Sequence, residues 1–385
     1  MSDTKKHSAG RREAVKPEAN GNGPAPGRLV GLDIGYGFTK VIRDDEQRVM
    51  FPSAVAAIPP TILSSIGDVQ AEDEVVVERL RCIVGERAIG KDDRYSNLHN
   101  VWWTSTVYKA IIAHAKKWIP ARSSIVTGLP LHNYIAPDAR EIVKDIVKAG
   151  LHAKDVLIVP QGVGAYFSDA AFANPTAKVA VVDIGTWTTE LIGMTGRDLL
   201  HGASAGHVWG VNDIFSTVAQ ELKETLGRLI DPYEVERTHR GEGEIRYRGR
   251  AYPQDTIQER VTQLAKERAS QILAKMTDLW GPHDAAFESI LFCGGGAKLL
   301  FPFLKQFREG SVLITDSQYA NARGYLAIAE NKTCLLPTSP PPLVARPPRL
   351  PTAARSLLLA PAKARHTRTV LANTRRIQCR STCSR

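Results

Sequence analysis

Cysteine is scarce in this 385-residue chain and badly placed for chemistry. Of the five, only Cys82 and Cys293 precede residue 333, far apart and without the spacing of a metal site. Cys379 and Cys383 lie close together but lack a second ligand pair, which argues against zinc. No apolar run approaches the ~20 residues that span a bilayer. Residues 1–28 are polar, with Gly21, Gly23, Pro24, Pro26 and Gly27 closing the segment, and they hold no apolar stretch of the kind a secretory signal needs. A soluble, cytoplasmic protein with no membrane partner is expected, behind a disordered arm at 1–28.

Acidic residues are missing from one region only. Residues 333–385 contain ten Lys or Arg and no Asp or Glu, which accounts for the whole formal charge of +10. Residues 1–332 are therefore net neutral, and this body offers no electrostatic case for direct nucleic-acid binding. The basic, Pro-rich tail reads either as an arm that touches DNA or an acidic membrane, or as non-native sequence after a shifted reading frame. The abrupt change of composition beyond Lys332 favours the second.

What is present is an alternation of strands and helices. Apolar, β-branched runs predict strands at 29–34, 38–43, 124–127, 155–159, 178–184, 188–194, 289–293 and 311–315. Four amphipathic stripes lie between them. They run through Val107, Ile111 and Ala115; Ala139, Ile142, Val143, Ile146 and Val147; Val211, Phe215, Val218, Leu222 and Leu226; and Ile257, Val261, Leu264, Arg268, Ile272, Met276 and Leu279. Core packing accounts for all four, within an α/β fold.

One segment occurs twice. Residues 32–42 (LDIGYGFTKVI) and 182–192 (VDIGTWTTELI) align without gaps and share Asp, Ile, Gly, Thr and Ile at matching positions. Each reads as a strand, a tight turn and a returning strand, which predicts two related halves facing each other across a cleft. Glycine-rich turns present successive backbone N–H groups to phosphate oxygens. Gly35 and Gly37 permit this in the first copy, and Gly185, Thr186 and Thr188 in the second. Each copy opens with a carboxylate, Asp33 and Asp183. Two facing carboxylates suit a hydrated magnesium ion held against a polyphosphate. Lys40 adds a point charge. Either copy alone would pass for an ordinary turn; two in matched context argue for a site.

A third element, Gly294-Gly295-Gly296, follows a predicted strand and precedes a predicted helix, where backbone can approach a base or phosphate. The Gly-x-x-x-x-Gly-Lys-Ser/Thr loop is absent, and contiguous glycines do not make the spaced dinucleotide fingerprint.

The order hairpin, second hairpin, triple-glycine turn resembles the phosphate-1, phosphate-2 and adenosine motifs of the actin superfamily. Asp33-Ile-Gly-Tyr-Gly-Phe-Thr-Lys40 and Val126-Thr-Gly-Leu-Pro130 are similar to the actin-like ATPases of plasmid partitioning, the ParM relatives, and nearest to the ParM-like proteins of PRTRC gene clusters. The resemblance spans about residues 29–329. It implies the actin-like ATPase fold, two duplicated ribonuclease H-like domains with ATP and Mg2+ in the cleft between lobes. Lobe I would cover 29–158, completed by about 316–332, and lobe II 159–315. Connecting segments would start near Val159 and Asn321. It also implies that Gln161 orients the attacking water, that Asp33 and Asp183 hold the metal, and that Asp33, Gly35, Tyr36, Gly37, Lys40, Gly185, Thr186, Thr188 and Gly294–Gly296 surround the nucleotide, with Asp183 also catalytic. A neutral amide cannot take up a proton, so Gln161 would position water rather than deprotonate it. The Tyr36 and Trp187 side chains would have to point out of the site.

The function implied is an ATP-hydrolysing protein that assembles with itself into filaments for plasmid segregation, with a separate adaptor protein contacting DNA. The alternatives are a non-polymerising ATPase of the same fold, either a sugar-kinase-like phosphotransferase or a chaperone-type ATPase. No candidate base or substrate insertion supports the first, and no peptide-binding domain supports the second.

Overall fold

The apolar alternation that starts at Leu29 opens a sheet rather than a helix, because Val30, Leu32 and Ile34 must all be covered. The computed structural model describes residues 27–58, 73–91, 94, 101–168, 176–281 and 286–334. Nearly all of the expected N-terminal arm lies outside these residues, as does the tail beyond Cys334.

Strands β1 (Leu29–Ile34), β2 (Phe38–Arg43) and β3 (Arg48–Pro52) form an antiparallel meander. A small three-stranded sheet follows, made of β4 (Val55–Ala57), β5 (Glu74–Val77) and β6 (Leu80–Val84). Helix α1 (Thr106–Ala115) leads back to β7 (Ser124–Leu129), and α2 (Leu131–Tyr134) and α3 (Ala139–Leu151) lead to β8 (Asp155–Pro160). β7 joins β1 in parallel, β8 joins β7, and the main sheet of lobe I reads β3-β2-β1-β7-β8.

After α4 (Val163–Phe167) the pattern repeats. β9 (Lys178–Ile184) and β10 (Thr189–Thr195) form the second hairpin, extended by β11 (Asp198–Leu199) and β12 (Ala205–His207) on β10. Helices α5 (Asn212–Leu226) and α6 (Pro232–His239), the ribbon β13 (Arg246–Tyr247) with β14 (Arg250–Ala251), and the long α7 (Gln254–Trp280) come next. Then β15 (Ser289–Cys293), α8 (Ala297–Leu304) and β16 (Ser311–Leu313) complete a sheet ordered β11-β10-β9-β15-β16. β9, β15 and β16 are parallel, as β1, β7 and β8 are. The duplicated sequence thus marks a duplicated topology. Helix α9 (Ala320–Cys334) then packs on β1, β7 and α4.

Two stripes lie differently from their sequence pattern. The buried face of α7 is Ile257, Val261, Ala265, Ala269, Ile272, Met276 and Trp280. Arg268 stands beside that face, bonded to Asp213 at 2.6 Å and lying over the Trp209 ring. The small Ala265 and Ala269 give the interface its depth, and a search for large apolar residues passes over them. In α3 the face is Ala139, Val143, Val147 and Leu151, while Ile142 is exposed. Helix α6 and the small sheet were not expected. α6 did carry a legible start, Asp231-Pro-Tyr-Glu234, which forms a capping box with Pro at the first turn.

Candidate functional site

Both hairpins close in the same way. Gly35 N–H donates to Phe38 O at 3.1 Å, and Gly185 N–H donates to Thr188 O at 2.8 Å. These two N–H groups are used up inside the turns, so any anion would be met by the residues between them. The tips meet across the cleft. A Cβ on Gly37 would lie 2.2 Å from Thr186 Oγ1, so only glycine permits this approach.

Behind the tips, Asp33 sits on β1 opposite Lys40 on β2, and Lys40 Nζ donates to Asp33 Oδ2 at 3.0 Å. Both are buried, so each neutralises the other where water cannot. Gln161 Nε2 reaches Asp33 Oδ1 at 3.4 Å from the loop after β8. Asp183 occupies the matching place on β9, beside Cys293 of β15 and opposite Glu190 of β10. Burial raises the Asp183 carboxyl above its usual range, and the Asn321 side chain, donating to Oδ2 at 2.7 Å, opposes that rise. Burial pushes Glu190 up to about 8, helped by the nearby Asp183 charge; its Oε2 accepts the Leu131 N–H at 3.1 Å.

Asp33, Lys40, Gln161, Asp183 and Asn321 border a cavity of about 50 Å³. Asp33, Gly35, Tyr36, Gly37, Lys40, Gln161, Asp183, Gly185, Thr186, Thr188, Gly294 and Gly295 all line it, so the structure brings together the expected set with one exception. Gly296 turns away: its N–H bonds Ile184 O at 2.9 Å, and a Cβ there would meet Val211 and Ile184 side chains. Gly294 lines the cavity while its N–H bonds Ser317 O at 3.0 Å. The Tyr36 ring stacks on Trp102 with centroids 4.4 Å apart, yet Tyr36 and Trp187 both remain lining residues. Phe38, Gln318 and Asn321 complete the lining, and none of the three is among the site residues that the sequence motifs imply. For Asn321 the signal in the sequence is its place at the start of the second connecting segment; Gln318 precedes that segment and has none.

A second cavity of about 230 Å³ shares Tyr36, Gly37, Phe38, Thr186 and Trp187 with the first and extends toward Tyr233 and Glu236 of α6. At its mouth Arg94 pairs with Asp231 at 2.6 Å, and Tyr233 Oη donates to Glu86 Oε1 at 2.9 Å. The donor set fits a magnesium nucleotide: two carboxylates, one ammonium and glycine-lined turns. The volume does not fit the lobes as they stand, since sites for molecules of that size span roughly 300–1,000 Å³. Among the described residues no group of three or more His, Cys, Asp or Glu could hold a metal alone, so a cation here would keep water or phosphate ligands. No described helix is long and apolar enough to cross a membrane.

Comparison with known proteins gives the same order of parts. Residues 31–164 match the family model "Actin like proteins N terminal domain", and residues 181–306 match "Archaeal actin homologue MreB-like, C-terminal". Archaeal actin homologues of Thermoplasma volcanium and Thermoplasma acidophilum are each 23% identical, over 78% of this chain and 98% of theirs. Among solved structures, a non-polymerisable quadruple mutant of pCBH ParM has a TM-score of 0.65 at 22% identity, covering 79% of this chain and 99% of that one. An archaeal actin homologue in complex with ADP has a TM-score of 0.59 at 20% identity, with the same coverage. With the two models matched in chain order and the two-lobed architecture shared, the chain has the actin-like fold.

Proposed function

We propose that this chain binds and hydrolyses ATP with Mg2+ and assembles with itself into nucleotide-dependent filaments that serve plasmid segregation. The observation that carries this reading is the pair of matched hairpins, with Asp33, its partner Lys40 and Asp183 lining one cavity in a cleft whose tips approach at Gly37 and Thr186. A triphosphate that bridges both turns rewards closure of the lobes, and hydrolysis removes that bridge. The N–H groups of residues 36–37 and 186–187 would contact phosphate oxygens. Gln161, already directed at Asp33, would orient the attacking water. Gly294 and Gly295 would face the nucleoside end.

Relatives supply the assembly. One solved ParM of similar fold comes from a 15-stranded filament of Clostridium botulinum, and Alp12 is likewise a filament structure. The net-neutral body supports a separate DNA-binding adaptor rather than direct contact. Within this class we place the chain with the ParM-like proteins of PRTRC clusters, on the Asp33–Lys40 and Val126–Pro130 segments.

The test follows light scattering and phosphate release together after ATP is added to the purified full chain with Mg2+. Scattering that rises with ATP and decays as phosphate appears is expected. A flat trace from active protein over a broad concentration range would remove the filament and leave an ATPase. Transfer of phosphate to a sugar-like acceptor would replace it with a kinase.

A further inference from the structure

Asn321 lies in the first turn of α9 and is 7% exposed. Its side chain joins two places that the sequence motifs treat separately. Oδ1 accepts the N–H groups of Gly162 at 3.0 Å and Ala165 at 3.1 Å, both at the start of α4. Nδ2 donates to Asp183 Oδ2 at 2.7 Å. The amide has only one satisfactory orientation, because two backbone N–H groups need its oxygen and a carboxylate needs its nitrogen. One turn further along α9, Gly324 rests on Gly164 of α4, and a Cβ on Gly324 would lie 1.6 Å from Gly164 O. The two helices that link the lobes therefore touch with no slack, and the same residue that pins one to the other also holds Asp183.

We propose that Asn321 is a positioning residue that couples cation and phosphate occupancy at Asp183 to the crossing of α4 and α9. The inference rests on reading the cleft as a magnesium-nucleotide site. If Asp183 held a cation, directly or through water, its Oδ2 would gain a competing partner, and the bond from Asn321 Nδ2 would weaken or shift. Oδ1 of the same rigid amide must then move against Gly162 and Ala165. Coupling of this kind is reciprocal: a shift of α4 on α9 alters the affinity of Asp183 for the cation as much as the cation alters the crossing.

The experiment uses the full chain with ADP, with and without Mg2+. Asn321→Asp keeps the acceptor for Gly162 and Ala165 but sets an oxygen against Asp183. Magnesium should strengthen ADP binding in the parent, and in the variant that gain should fall about 10- to 100-fold, the usual effect of losing a partner that orients a metal ligand. Affinity for ADP in chelator is measured for each protein as its own reference, so that only the magnesium-dependent gain is compared between parent and variant. A second measurement needs no variant. Amide exchange at Gly162 and Ala165 in the parent should change when Mg2+ is added to the ADP complex, and it decides the matter if Asn321→Asp does not fold. An unchanged magnesium effect in a folded variant, or identical exchange with and without magnesium, overturns the coupling while the site stands. A parent whose ADP binding ignores magnesium overturns the metal site and this inference together.

Discussion

Gly164 and Gly324 meet backbone to backbone where α4 crosses α9, and neither has room for a side chain: a Cβ on Gly164 would lie 2.7 Å from Asn321 O, one on Gly324 1.6 Å from Gly164 O. Both neighbours are main-chain carbonyls within helices, so they cannot step aside as a flexible side chain could. Gly324→Ala should destabilise the protein by about 3 kcal/mol or more, at the upper end of overpacking costs. Denaturant midpoints at constant m-value measure this. A loss under ~1 kcal/mol would mean that the helices slide easily and that the crossing is not rigid.

The carboxylates separate stability from chemistry. Asp33→Ala would strand the buried Lys40 and should cost about 3–5 kcal/mol, whereas Asp33→Asn keeps the shape and a weaker acceptor. Asp33→Asn and Asp183→Asn should both fold and both lose magnesium-dependent ATP hydrolysis, by about 100-fold or more for one lost electrostatic group at the reacting centre. Steady-state phosphate release over a magnesium series checks this. Near-normal turnover in either variant would show that the paired-carboxylate site is misplaced.

Gln161 is predicted to set rate rather than affinity. Its Nε2 lies 3.4 Å from Asp33 Oδ1, within reach of the phosphate cavity but away from the lobe cores. Gln161→Ala should slow hydrolysis about 10- to 1,000-fold, the span for one oriented group, and leave nucleotide affinity nearly unchanged. Its filaments should outlast those of the parent when scattering is followed after ATP addition. Filaments that decay on the parent's schedule would uncouple hydrolysis from disassembly.

Glu190 should make stability depend on pH in an unusual direction for a carboxylate. In the unfolded chain it ionises near 4.5, and in the fold burial holds the proton until about pH 8. Between those values the unfolded state binds fewer protons than the native state, so stability falls as pH rises. The contribution is complete below about pH 4.5 and gone above about pH 8, a swing on the order of a few kcal/mol. Urea midpoints of the parent and of Glu190→Gln, taken from pH 5 to 8.5, should diverge with the parent losing ground. Parallel curves would mean that Glu190 is ionised in the fold.

The two hairpins and the four long helices were legible because local pattern dictates them. Alternating β-branched residues ending at Asp-Ile-Gly can do little except turn and return, and the repeat of that segment announced a repeated fold. The small sheet of β4, β5 and β6 was not legible. Its turn at Glu78 and Arg79 takes positive φ without glycine, and its strands are short, so neither turn chemistry nor periodicity marks them. Three contiguous glycines look alike in sequence, so Gly296 cannot be told from its neighbours there. Only packing against Val211 and Ile184 distinguishes it from Gly295.

By itself the sequence determined the duplication, the hairpins and the list of polar groups able to meet a phosphate, because backbone sterics and hydrophobic alternation act over a few residues. Tertiary structure decided which of those groups face one another. Asp33 and Asp183 lie 150 positions apart, and Asn321 reaches Asp183 and the start of α4 only because α9 returns across the molecule. Hydrogen bonds of that span depend on the packing of two lobes, and no local pattern encodes them.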